Sequence, residues 1–296
     1  MIYTEISSNK RKTLLLITFF LILITALGYV FGQSMNQPLL LPIAIGFSVL
    51  MSFGGYFYSD KLVLAISKAR EIQRTDDPEL YRSVENLSIA AGLPAPKVYL
   101  IDDSAPNAFA TGRDPSHAVL CITTGLRSKL TKPELEGVMA HELSHVGNYD
   151  IRLSSIIVVL VGVVALLSNW MLRASFFGGR RRSNDNNQLG AIFAIVGLVM
   201  AILSPIAATL IQLAISRKRE YLADASGALL TRYPEGLASA LRKIAADQEP
   251  LEVANNATAH LYIINPLHAN PTGFSRLFDT HPPIEERIKR LEAMNL

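Results

Sequence analysis

Four stretches of the chain are almost uninterrupted apolar sequence: residues 14–31, 39–58, 153–172 and 190–215. At about 1.5 Å of rise per residue each is long enough to cross a hydrocarbon layer of roughly 30 Å as a helix. Between and after them the pattern changes. Asp77-Pro78-Glu79 opens a segment in which Leu80, Val84, Leu87 and Ala91 recur at helical spacing, and Gly92 closes it. Residues 98–101 and 118–123 read as strands, with 107–111 extended between them and 112–115 as a turn. Thr131 and Glu134 form a capping-box pair with Pro133 in the first turn. Leu135, Val138, Met139 and Val146 then supply the apolar stripe of a helix that runs at Ile151 into the third apolar run. The fourth run leads into Arg217 to Asp224 without a break in helical phase. Residues 234–246 form an amphipathic helix with Leu237, Leu241 and Ile244 inward, residues 260–264 read as a strand, and Ile284, Ile288 and Leu291 mark a closing helix.

The apolar content of 50% and mean hydropathy of +0.27 follow from the four runs. A net charge of +3 is too slight to imply a nucleic-acid partner. Its distribution says more. Lys10, Arg11 and Lys12 precede the first run, and Lys61, Lys68 and Arg70 follow the second, which puts both open ends of the first hairpin in the cytoplasm. The first run resembles a signal peptide but lacks a small-x-small cleavage site, so it reads as an uncleaved anchor. Between runs three and four, Arg173, Arg180, Arg181 and Arg182 against Asp185 oppose the same charge rule. Spanning is still expected, because the rule weighs most on the first helices and the second pair returns Glu220 to the cytoplasm whether it spans or only dips. Cys121, the one cysteine, excludes an internal disulfide and reads as a small buried hydrophobe.

Chemistry concentrates at His141-Glu142-Leu143-Ser144-His145. On a helix the two imidazoles lie four residues apart on one face, where both can ligate one zinc ion, and Glu142 stands beside the metal where it can take a proton from a bound water. A hairpin of runs three and four would return Glu220 to the two histidines as third ligand and leave a fourth position for water. Asp224, one turn on, is placed to accept the other ring N–H of a ligating histidine. These are the parts of a zinc metallopeptidase. Its substrate needs an extended backbone, and Asn107, Ala108, Phe109 and Ala110 form the candidate sheet edge to which it adds. His117, His260 and His268 have no partner at ligand spacing and read as surface or loop residues.

Paired N-terminal anchors, Asn107-Ala108-Phe109-Ala110-x-Gly112, the H-E-x-x-H helix, Glu220-x-x-Ala223-Asp224, and His281-Pro282-Pro283 with Arg287 together resemble the membrane metallopeptidases of the HtpX type, relatives of the CAAX prenyl protease endopeptidases. The resemblance covers nearly the whole chain. It implies a mainly α, multi-pass membrane protein with a small β-sheet and a zincin-like (gluzincin) cytoplasmic catalytic domain, binding one zinc ion per chain in the plasma (cell inner) membrane. It also implies cleavage of misfolded or damaged membrane proteins in quality control, with Glu142 as base and Glu220 as zinc ligand. From the related prenyl proteases comes the expectation that His281 donates to the oxyanion and that Arg287 points to the same site. The alternative is that His281 caps the last helix and Arg287 pairs with a surface carboxylate. The expected division is a transmembrane hairpin over 1–60, a first catalytic part over 61–150, a second hairpin over 151–215 and a second catalytic part over 216–296. An inactive membrane chaperone of the same fold would lack a reason to keep Glu142. A receptor or transporter would place charge within the runs, which hold little beyond Asn169 and Gln212.

Overall fold

The computed structural model describes residues 2–34, 36–163, 217–254, 258–264, 266 and 282–294. Helices α1 (Ile2–Ser34) and α2 (Leu40–Ile66) form an antiparallel hairpin, and both are long and apolar enough to cross a membrane. Gly28 lets them touch, since a Cβ there would meet the Cβ of Ala44 at 2.2 Å. Leu14, Ile22, Ile43 and Leu50 remain exposed, the surface a bilayer would cover. Both helices overrun their apolar stretches. α1 begins about three turns before Leu14, and α2 continues past Tyr58, so that Asn9 and Val63 are fully buried.

Four strands, β1 (Arg70–Glu71), β2 (Lys97–Ile101), β3 (Ala108–Gly112) and β4 (Ala118–Thr123), form one sheet in the order β1-β2-β4-β3. β2 and β4 are parallel, and the other pairs are antiparallel, leaving β3 at an edge. Side chains alternate between two cores. Leu120 and Ile122 pack with Val138 and Met139, while Phe109, Val119 and Cys121 pack with Val63 and Tyr262. α3 (Pro78–Ala91) is bounded as its sequence predicts: Asp77 accepts the Leu80 N–H at 3.0 Å, and Gly92 takes φ +66°. The two-residue β1 and the short α4 (Thr124–Lys129) carry no periodic signal. α4 begins where the Thr123 hydroxyl accepts the Leu126 N–H.

The organising helix is α5 (Lys132–Gly147), which turns by 81° at Asn148 and Tyr149 into α6 (Asp150–Val163). Tyr149 takes φ +60° at the corner, a conformation rare for a non-glycine residue. α7 (Arg217–Thr231) and α8 (Pro234–Ala246) pack on α5, and α9 (Ile284–Glu292) packs on both of those. The contacts are backbone-close. A Cβ on Gly137 would meet the Leu237 nitrogen at 2.7 Å, and one on Gly227 would meet the His141 nitrogen at 2.9 Å. The strand expected at 260–264 is instead a 3₁₀ turn, Ala259–Leu261, closed by the Leu261 N–H on Thr258 O and followed by irregular chain. Residues 164–216, with the rest of run three, the arginine-rich loop and run four, lie outside the described residues.

Glu134 anchors the start of α5. It accepts from the Thr131 N–H at 2.7 Å, from Ser239 Oγ at 2.6 Å and from Lys243 Nζ at 2.7 Å. Burial pushes its pKa up, but these donors outweigh it and hold the carboxyl at about 2, against 4.5 when free. A depressed pKa contributes stability that is complete above about 4.5 and lost as the pH falls toward 2. Glu134→Gln is therefore expected to cost about 2 kcal/mol at pH 7, with a smaller gap from wild type at pH 3; urea unfolding at both pH values checks it, and an equal gap at both would refute it. A second expectation concerns the α5–α7 contact. Ala favours a helix over Gly by about 1 kcal/mol, so Gly46→Ala, which meets nothing within 4 Å, should be neutral or stabilising. Gly227→Ala should lower the melting temperature despite that preference.

Candidate metal centre

On α5, His141 and His145 stand four residues apart with their rings nearly perpendicular, at 86°, and their Nε2 atoms 3.2 Å from each other. α7, held close by Gly227, brings Glu220 against them. Its Oε1 lies 3.4 Å from His145 Nε2, and its Oε2 3.7 Å from His141 Nε2. A tetrahedral ion with bonds of about 2.0–2.1 Å separates its ligand atoms by about 3.3–3.4 Å. The three side chains thus offer atoms at the spacing of one ion's ligands, and they could hold a metal.

The far nitrogens of both rings face carboxylates. His141 Nδ1 is 3.0 Å from Asp224 Oδ1, close but out of line with the ring N–H, and His145 Nδ1 is 2.9 Å from Asp150 Oδ2. Asp224 is where its helical spacing predicts. Asp150 is an addition, because helical spacing from His145 does not reach a residue beyond the end of α5; the 81° corner does. Asp150 Oδ1 in turn accepts from Arg219 at 2.8 Å and from Asn9 Nδ2 at 2.7 Å.

Arg287 is fully buried. Its Nε and one terminal nitrogen reach Asp224 at 2.8 and 2.7 Å, and the other terminal nitrogen donates to Ile263 O at 3.0 Å. That last nitrogen is 3.8 Å from Glu220 Oε2. The carboxylate Arg287 pairs with is therefore an interior one. His281 and His268 lie outside the described residues. His117 is exposed and pairs with Asp114 at 2.7 Å. His260 departs from its reading as a surface or loop residue. It is 5% exposed, lines the same pocket as His141, Glu142, His145 and Glu220, and has Nε2 3.3 Å from Ser154 O, because the 259–261 turn folds onto the start of α6.

Glu142 is 3% exposed and accepts the Ala110 N–H. Burial raises its pKa, with the two histidines opposing and Glu220 adding to the rise. Burial alone would discharge His145, yet Asp150 and Glu220 hold it at about 9. A field that keeps a proton on a buried imidazole is one that attracts a cation.

The expected substrate edge is already partly used. Asn107 O accepts from β4 and Ala108 O from Ile263 N at 3.0 Å, so alternate groups of β3 face outward from the sheet. Asn107 Nδ2 donates to Ile264 O, the Ala108 N–H to Asn107 Oδ1, the Ala110 N–H to Glu142 and the Gly112 N–H to Ser155 Oγ. Of Asn107 to Ala110, Ala110 is the residue that lines the pocket among the described residues. Phe109 points the other way, edge-on to Tyr262 at 5.1 Å.

The sequence profile of peptidase family M48 matches residues 74–295. Proteins described as protease HtpX homologs are similar over the full chain. That of Dictyoglomus turgidum is 49% identical over 296 residues, covering 99% of this chain and 94% of the relative. That of Tropheryma whipplei strain Twist is 48% identical over 298 residues, covering 99% of each. Among solved structures, S. mikatae Ste24p superposes with a TM-score of 0.51 at 21% identity, covering 98% of this chain and 67% of that one, which shows a shared fold. With two helices long and apolar enough to cross a bilayer and a His-His-Glu cluster spaced for one ion, the chain belongs to peptidase family M48 and is a membrane metalloendopeptidase.

Proposed function

We propose that the metal is zinc, held by His141, His145 and Glu220, and that the enzyme cleaves misfolded or damaged membrane proteins as part of stress-related quality control. The observation that carries the zinc centre is the spacing of the three ligand atoms, 3.2, 3.4 and 3.7 Å, with the Glu142 carboxyl buried beside them, while the substrate class and stress role rest on the resemblance to HtpX-type proteases. Zinc bound there supplies a Lewis acid that polarises the scissile carbonyl and acidifies a water. Glu142, its pKa raised by burial, takes the proton of that water and passes it to the leaving amine. Ala110 orients Glu142 through its N–H and offers its carbonyl to an extended substrate backbone. Asp224 and Asp150 fix the ring orientations of His141 and His145, and Arg287 fixes Asp224. His281 remains the proposed donor to the oxyanion, on the resemblance to the prenyl proteases.

The proposed setting is the inner membrane, with two transmembrane hairpins over 1–60 and 151–215 interleaved with catalytic parts over 61–150 and 216–296, and the site on the cytoplasmic side. Lys10 to Lys12 and Lys61 to Arg70 at the open ends of the first hairpin support that side.

Cleavage of an unfolded membrane protein by the zinc-loaded enzyme in detergent tests the activity. Glu142→Gln should keep about one zinc per chain and lose nearly all turnover, whereas Glu220→Gln should lose zinc. Equal metal content in the two variants would sink these roles. For Arg287, the Arg287→Met variant leaves Asp224 buried without its partner, so zinc affinity should fall about tenfold or more, with Arg287→Lys between it and wild type. Unchanged zinc affinity in Arg287→Met, measured by chelator competition, would remove Arg287 from the support of the site.

A further inference from the structure

Residues of α1 lie far outside the stretch that matches the family profile, which starts at residue 74, yet one of them reaches the metal centre. Asn9 is fully buried about two turns inside a helix whose next residues are basic. Its side-chain amide is used on both ends. Nδ2 donates to Asp150 Oδ1 at 2.7 Å and to Asn148 O at 3.0 Å, while Oδ1 accepts from Arg219 at 3.0 Å. Arg219 also binds Asp150 Oδ1 at 2.8 Å, which closes a triangle of Asn9, Arg219 and Asp150. The other oxygen of Asp150 is left for His145 Nδ1, at 2.9 Å.

The corner that presents Asp150 depends on the same helix. Tyr149 at φ +60° is a conformation that needs outside support. Lys10 stands over its ring at 4.6 Å, with Arg152 at 4.9 Å from the ring centre. Asn148 O, at the end of α5, accepts from Asn9 Nδ2. Two neighbouring residues of α1 thus hold three consecutive residues of the corner.

We infer that Asn9 is a positioning residue of the metal centre, so that the N-terminal membrane helix completes the site by clamping Asp150 against His145. The inference rests on the proposed binding of zinc by His141, His145 and Glu220, and it extends the site to an element that the catalytic sequence does not contain. Its chemistry is orientation. A carboxylate with two donors on one oxygen has one rotamer left, and the imidazole it accepts from has its metal-facing nitrogen aimed before any ion arrives.

The test is zinc affinity of the full chain in detergent by competition with a chromogenic chelator, for wild type, Asn9→Ala, Asp150→Asn, the double variant and Thr13→Val. Thr13 is 4% exposed one turn further along the same helix, with no bond to the corner among the described residues, so Thr13→Val controls for helix docking. Asn9→Ala should weaken zinc about tenfold, as removal of an outer partner of a metal ligand does. Asp150→Asn should weaken it at least as much, the double variant no more than Asp150→Asn alone, and Thr13→Val by less than twofold. Should Asn9→Ala not accumulate in folded form, Asn9→Asp keeps the size and the acceptor for Arg219 but loses the donor, and the same loss is expected. The inference fails if Asn9→Ala and Asn9→Asp bind zinc within twofold of wild type. It fails equally if the Asn9 effect persists undiminished beside Asp150→Asn, or if Thr13→Val matches it. A wild-type chain that binds no zinc overturns the reading of the centre itself, and this inference with it.

Discussion

The constraint on which the structure turns is that the far nitrogen of each histidine of the centre faces a buried carboxylate. Asp224 is that carboxylate for His141 and Asp150 for His145. Taking a carboxylate out of water costs several kcal/mol unless it is paired and hydrogen-bonded. Each aspartate therefore needs a guanidinium, and each guanidinium must itself be buried. Arg287 serves Asp224 and Arg219 serves Asp150. The need for partners spreads outward until it reaches both ends of the chain, with residue 9 and residue 287 converging on one helix. A core of this kind is strained by any single loss, because what remains is an unpaired interior charge rather than a hole.

Precision at the centre also requires that α5 not shift along its neighbours. The helix is fixed at its start by Glu134, which ties it to Ser239 and Lys243 of α8, and along its length by two glycine contacts at which backbones meet. Its end is fixed by the corner at Asn148 and Tyr149. β3 contributes a third direction. The Ala110 N–H reaches Glu142, so the strand that lines the pocket also aims the carboxylate proposed as the base. Under the proposed activity the sheet edge and the chemistry are one device, and the substrate contact left to that strand is correspondingly narrow.

Periodic elements were legible in the chain because their signals are local. Asp77, Gly92, the Thr131 and Glu134 pair, and the stripe of Leu237, Leu241 and Ile244 place three helices within a residue or so of where they stand. The His-Glu-x-x-His helix and its distant Glu220 and Asp224 could be joined on chemistry alone, since zinc sites demand a third ligand. Asp150 could not. It stands beyond a helix end, and its approach to His145 depends on a left-handed tyrosine that no propensity rule selects. His260 was hidden for a similar reason, being brought to the pocket by a 3₁₀ turn where apolar neighbours suggest a strand. Arg287 is singled out only by the resemblance to the prenyl proteases; by spacing alone it is one more charge on an amphipathic helix until the burial of α9 is known.

The membrane helices bear on selectivity as well as anchorage. Val63 and Leu64 of α2 share a core with Phe109 and Tyr262, and Asn9 of α1 shares a hydrogen-bond network with Asp150, so the overhangs of the hairpin are structural parts of the catalytic half. From Asp150 the chain enters its third apolar run within three residues, about 4.5 Å of helix. Under the proposed topology the centre is therefore tied to the bilayer boundary by covalent geometry. Glu142, at 3% exposure, meets no folded surface; a peptide must arrive extended and slender to place a carbonyl beside it. Under the proposed activity these two facts suffice to select substrates. A segment that has come loose near the membrane surface satisfies both conditions, and one in a helix or a packed domain fails the second, whatever its sequence.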